Sequence, residues 1–165
     1  MAEFKLGRSE ICELIYFIAD EGRNLGQNIY FFCLAHLPMN EVVKNWIRSS
    51  QYDIKTAEAL YKSKRYVYVI FMCHLSVEKA VKAVVLDRRK KSPPKTHDLL
   101  RLIELAEINV PDNHWPIIAH LNEASVPTRY PEDMSKLVRY YNRLAAQRYL
   151  KESKELLRWL RTLVK

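Results

Sequence analysis

From Met39 to Lys165 the chain contains no glycine, and its three glycines (Gly7, Gly22, Gly26) all fall earlier. No glycine-rich phosphate loop can therefore exist in the larger part of the sequence. What fills that part is apolar residues recurring at helical period. "MNEVVKNWIRSSQYDIKTAEALYKSK" places Val43, Trp46, Ile47, Ile54, Ala57 and Leu60 or Tyr61 on one face, with Asn40 as an N-cap and Lys62 to Arg65 as a basic end. A second helix is expected over Tyr66 to Arg89. It is apolar on nearly all sides, which marks it as the most buried element.

Pro93 and Pro94 stop that helix, and a third is expected to restart with Thr96 as N-cap, Asp98 in its first turn and Pro111 beyond its end. A shorter segment over about His114 to Glu123 leads into "SVPTRYPEDM", which reads as a proline-fixed turn. The last helix is then expected to start near Glu132 and run on to Leu163. Four principal helices on short connections imply an all-α protein, an up-and-down four-helix bundle with one or two extra short helices. Residues 1–38 could add a helix at Ser9 to Asp20, with Gly22 past its end. They form an N-terminal extension that is equally well peripheral to a bundle over residues 39–165, and Met39 would itself serve as a start.

At 165 residues and 48% hydrophobic the chain suits one domain with a core of its own. Cys12, Cys33 and Cys73 lie far apart, with no CxxC pair, which fits a reducing cytoplasm better than a secreted framework. The longest apolar run, Ile29 to Leu37, is about half of the roughly 20 residues a membrane helix needs, so no membrane association is expected. No signal peptide is evident.

The net charge is +8, and its distribution is uneven. Three of the 27 bases and five of the 19 acids precede Met39, so the remainder carries 24 bases against 14 acids. A basic domain favours polyanion partners such as RNA, nucleotides or an acidic protein; a solvated lysine-rich surface gives the same number. On a continuous last helix at about 100° per residue, Lys136, Arg139, Arg143, Lys151, Lys154, Arg158 and Arg161 fall in one arc of about 120° with Gln147 and Lys165, and without an acid. Such a line suits a phosphate backbone or an acidic partner. "DRRKK" (Asp87 to Lys91) adds bases at the end of the second helix, where they also complement its dipole.

Within that second helix, Glu78 and Lys82 stand at i,i+4 with Lys79 between them. Charges on so apolar a helix are expected to be paired. The five histidines (His36, His74, His97, His114, His120) show no HxxxH or HExxH spacing, so neither a metal nor any cofactor is expected. His97, at a helix start, can bind an anion or simply cap. No GxSxG is present, and nothing demands an enzyme.

Taken in order, "SSQYDIKTAEALYKSKRY", "HLSVEKAVKAVVL", "KTHDLLRLI", "TRYPED" and a last helix rich in Ala, Leu and bases resemble the HEPN domain family, in the branch that carries an Arg-Tyr-Pro turn. The resemblance covers roughly Asn45 to Leu163. It implies a four- or five-helix bundle, usually a homodimer, associated with nucleotide binding and RNA metabolism. It also implies a minimal nucleotidyltransferase partner encoded beside it, in pairs that act as toxin–antitoxin modules. Many HEPN proteins are metal-independent ribonucleases with an Arg-x(4–6)-His motif. Here no arginine precedes any histidine by five to seven positions, so that catalytic motif is absent.

By the same resemblance, Arg129 and Tyr130 form the functional turn. Glu78, Lys79, Lys82 and His97 are further ligand-binding candidates. A guanidinium can grip a phosphate or carboxylate through two parallel hydrogen bonds, and a tyrosine can stack on a base. The plainer role for the pair is to tie the loop to a helix and fill the gap beneath it. Three functions stay open: a non-catalytic nucleotide- or RNA-binding module, a ribonuclease in which Arg129, Tyr130 and His97 replace the missing motif, and an interaction bundle whose basic stripe docks an acidic protein.

Overall fold

The computed structural model describes residues 39–164; the readings that concern residues 1–38 lie outside them. Among the described residues the protein is entirely helical. In order come α1 (Met39–Lys62), α2 (Tyr66–Arg89), α3 (Leu99–Ala106), a 3₁₀ turn (Asp112–His114), α4 (Trp115–Arg129), α5 (Met134–Tyr140) and α6 (Arg143–Thr162). Four long helices and two short ones make the bundle that the periodicity implies.

Helix α2 is the axis of the fold, and α1, α3, α4 and α6 all pack on it. Its apolar circumference requires this, since Val69, Ile70, Cys73, Val77, Ala80 and Val84 are all buried and face different neighbours. Small residues let α1 come close. Ser50 Oγ donates to the Ser76 carbonyl and Ser76 Oγ to the Ser50 carbonyl, each at 2.7 Å, so both buried hydroxyls are satisfied across the contact.

Three boundaries differ from expectation. The third helix begins not at Thr96 but at Asp98, whose carboxylate accepts from the backbone N–H groups of Leu100 and Arg101. It ends at Ala106, well before Pro111, because Glu107 takes a left-handed φ of 51° and turns the chain so that Ile108 and Val110 enter the core. Helix α4, expected to be a short segment ending near Glu123, instead continues through Pro127 to Arg129. Pro127 sits near the C-terminal end of α4, where its missing N–H deprives the Glu123 carbonyl of its usual i+4 donor, and Glu123 is an exposed residue. Arg129 therefore closes α4 rather than opening the last helix.

The last helix is also two helices. Tyr141 and Asn142 leave helical geometry, and Asn142 Oδ1 caps α6 by accepting from Leu144 and Ala145 N–H at 3.0 and 3.1 Å. Asp133 caps α5 in the same way through Lys136 N–H. The break rotates everything before it relative to everything after. The seven-residue α5 buries no side chain, and Leu144, in phase with the core on a continuous helix, is 76% exposed.

Candidate functional site around Glu78

Polar residues on α2 recur at i, i+4 and i+8: His74, Glu78 and Lys82. This spacing puts them one above another on one face. All three are buried, so each must find a partner in the interior. Glu78 is the common partner. Its Oε1 accepts from Lys82 Nζ at 2.8 Å, and its Oε2 accepts from His97 Nδ1 at 2.9 Å. His74 Nε2 lies 3.3 Å from the same Oε2, in electrostatic contact but not aligned for a hydrogen bond. His74 is held from its other nitrogen, where Nδ1–H donates to the Leu121 carbonyl at 3.0 Å.

A further partner arrives from the end of α4. Arg129 Nη2 stands 3.8 Å from Glu78 Oε2, with its guanidinium 5.4 Å from the centre of the Phe71 ring. Arg129 Nη1 donates to Ser125 Oγ one turn back at 3.0 Å, whereas the buried Nη2 makes no hydrogen bond among the described residues. The Arg129 side chain is 16% exposed and that of Glu78 is 5% exposed, whereas His97 is open to solvent at 61%. His97 is thus the rim of the cluster, and Arg129 and Lys82 are its walls.

Burial alone would push the Glu78 carboxyl up. The polar side chains of His74, Lys82 and His97, with the Lys82 charge, overcome that and hold it at about 2. Glu78 is therefore a fixed anion facing two permanent cations, Lys82 and Arg129, and two imidazoles. The cluster carries surplus positive charge next to an unsatisfied guanidinium nitrogen. Chemically, it is equipped to receive an anionic oxygen.

Of the six ligand-binding candidates, the fold brings Glu78, Lys82, His97 and Arg129 together. Lys79 goes elsewhere and pairs with Asp53 of α1 at 2.7 Å. Tyr130 caps α4 beside the cluster with its side chain 75% exposed. His74, Ser125 and Phe71 were not singled out from the sequence. The His74–Glu78–Lys82 spacing was the available signal for the first; the other two follow only from where Arg129 folds back.

The basic stripe is divided by the break at Asn142. Lys136 pairs with Asp133 at 3.5 Å, and Arg139 is exposed on α5. Arg143 is exposed at the start of α6. Lys151, Arg158 and Arg161 are exposed on α6, and Lys154 pairs with Glu58 of α1. Among the described residues no three His, Cys, Asp or Glu side chains are grouped so as to hold a metal ion. No helix among them is long and apolar enough to cross a membrane.

Two solved structures share this architecture. The crystal structure of TT1696 from Thermus thermophilus matches with a TM-score of 0.64 and 22% identity, over 74% of this chain and 98% of that one. The structure of ST0689, described as an archaeal HEPN homologue, matches with a TM-score of 0.62 at the same identity and coverage. No curated protein sequence matches the chain. The family model for the HEPN domain matches residues 43–163, which takes in nearly all of the helical bundle described above. The chain belongs to the HEPN domain family.

Proposed function

We propose that this HEPN protein is a binding module that takes the phosphate of a nucleotide or RNA at the Glu78 cluster, with Arg129 as its grip, His97 at the rim and Tyr130 as a stacking platform. The observation that carries this reading is the buried Arg129 Nη2, left without a hydrogen bond among the described residues where two permanent cations face one carboxylate. One charge-assisted contact at such a nitrogen is worth about 1.5–3 kcal/mol. The module acts in the cytoplasm as a homodimer with a nucleotidyltransferase partner, as one half of a toxin–antitoxin pair. The apolar side chains left exposed between the end of α4 and the start of α6 (Val126, Met134, Val138, Tyr140, Leu144) support the dimer, since several large apolar groups exposed so near one another in the chain suit an interface.

The test is fluorescence anisotropy of labelled oligouridylate and of a labelled adenine nucleotide, with His97→Ala and Tyr130→Ala compared with the native chain. Either substitution is expected to weaken binding about tenfold, the loss of roughly 1.4 kcal/mol. Unchanged affinity in both overturns the reading. Co-purification of a tagged chain with a nucleotidyltransferase from its own cell tests the partner.

A second reading has one observation in its favour. His97 and Arg129 come from separate segments yet face the same oxygen of Glu78, at 2.9 and 3.8 Å. An arginine and a histidine so close, without a metal, form a minimal set for cleaving RNA through its own 2′-hydroxyl. Hydrolysis of labelled RNA in the presence of EDTA, abolished by His97→Ala, is its test.

A further inference from the structure

Away from the Glu78 cluster, α1 and α6 both lie against α2 and leave between them a groove of about 320 Å³. Its floor is apolar, formed by the partly buried Ile54 of α1 and the buried Leu157 of α6. Its rims are basic: Lys55 on one side, Arg158 and Arg161 on the other. The acid in the lining, Glu58, is already neutralised by Lys154 across the groove. Lys55 and Arg158 have no ion pair among the described residues, and Arg161 uses only its Nε there, which donates to the Leu157 carbonyl at 3.2 Å.

Three uncompensated bases, Lys55 on one rim and Arg158 and Arg161 on the other, flank the apolar floor and set the chemistry of the occupant. A phosphate backbone would use the rims but leave the floor idle, and no lining residue among those described is aromatic, so bases would find no stacking platform. An amphipathic helix with acidic flanks uses both, its apolar stripe on Ile54 and Leu157 and its carboxylates toward Lys55, Arg158 and Arg161. The geometry points to this groove as the docking site for an acidic amphipathic helix of a partner protein, separate from the Glu78 cluster. Charge complementarity sets orientation and speeds encounter, and the apolar strip supplies contact that salt does not screen.

The probe is a labelled synthetic peptide of about 18 residues, five helical turns, with leucines on one face flanked by glutamates. Its anisotropy is read with the native chain, with the surface double variant Lys55→Glu/Arg158→Glu, and with Tyr130→Ala. Binding is expected to fall at least about tenfold in the charge-reversed variant and to be unchanged in Tyr130→Ala. A control peptide with serines replacing the leucines is expected to bind as weakly as the peptide does to the charge-reversed variant. Equal binding of the serine peptide overturns the proposal, because the floor is then unused. So does displacement of the peptide by oligouridylate at equal affinity, which would make the groove a phosphate surface, or no binding by the native chain. The melting temperature of the double variant is measured alongside. Both positions are exposed, so a changed fold is not expected to account for the loss.

Discussion

His97 Nδ1 donates to Glu78 Oε2 at 2.9 Å, tying the segment that precedes α3 to the middle of α2 across nineteen positions of chain. The bond reaches from an exposed imidazole to a buried carboxylate, so whatever touches the rim of the cluster is coupled to the charge at its centre. Among the described residues Glu78 is also the counter-ion for both Lys82 and Arg129.

Removing that carboxylate leaves the buried Lys82 and the partly buried Arg129 without their shared counter-ion. Glu78→Gln keeps the shape and loses the charge, and is expected to destabilise the domain by about 3–5 kcal/mol. For a bundle of this size that lowers the melting temperature by about 10–15 °C, measurable by circular dichroism at 222 nm. A fall of less than about 3 °C would mean that the cluster is solvated and that its charges are not coupled.

The same carboxylate makes stability depend on pH in a defined window. The folded Glu78 sits at about 2 against an ordinary value of 4.5, so its contribution is complete above about pH 4.5 and is lost as pH falls from there through about 2. The contribution at neutral pH is about 3 kcal/mol. Urea midpoints measured between pH 7 and pH 3 are expected to fall on the acid limb in the native chain, and to fall distinctly less in Glu78→Gln.

The elements that could be read from the sequence are those where one physical demand dominates. Helix α2 spans Tyr66–Arg89 as expected, because nothing but a core can absorb its apolar circumference. The i,i+4 pair of Glu78 and Lys82 was legible for the same reason, since a charge there has nowhere else to go. Pro127 misled because proline usually ends a helix, whereas α4 carries it through for the loss of one backbone hydrogen bond, and only the fold shows this. The break at Asn142 was hidden because Leu144 and Ala145 continue the apolar period in phase, while Tyr140, Tyr141 and Asn142 are all tolerated in helices. The convergence of His97 and Arg129 depends on two loops and leaves no trace in local spacing.

That break gives a prediction whose sign separates the two descriptions. If α5 and α6 were one helix, Asn142→Ala would stabilise it, alanine being the better helix former. With Asn142 capping Leu144 and Ala145 N–H, the substitution is expected instead to cost about 1 kcal/mol, and Asn142→Asp to retain most of the stability. Thermal melts of the two variants decide between these outcomes.

The exposed apolar face gives a prediction about assembly. Val138→Asp combined with Leu144→Asp introduces two charges at exposed positions, so the folded monomer is expected to keep its melting temperature within about 2 °C. A dimer formed through this face would lose its association. Sedimentation velocity at tens of micromolar is expected to show a dimer for the native chain and a monomer for the variant. A native chain that sediments as a monomer would refute the homodimer.

Arg129 and Tyr130 are neighbours with opposite burial, and the contrast makes them the most informative pair. If Arg129 only gripped a ligand, Arg129→Ala would spare the fold; if it only tied the loop, the variant would melt earlier. The structure gives it a structural part, because Arg129 holds Ser125, lies against Phe71 and faces Glu78 from a largely buried position. Its loss is now expected to cost about 1–3 kcal/mol of stability as well as ligand affinity, so the alanine variant alone cannot separate the two roles. Arg129→Lys keeps the charge near Glu78 but loses the planar fork, and is expected to recover stability more fully than binding. Tyr130→Ala removes a side chain that is 75% exposed, so its melting temperature is expected to stay within about 1 °C of native. If Tyr130→Ala nonetheless weakens oligouridylate or nucleotide binding about tenfold, the Arg-Tyr pair is a recognition element. If binding is intact in Tyr130→Ala and falls in the Arg129 variants only in step with their melting temperatures, the turn is a clasp that holds α4 to α2, and the ligand binds elsewhere.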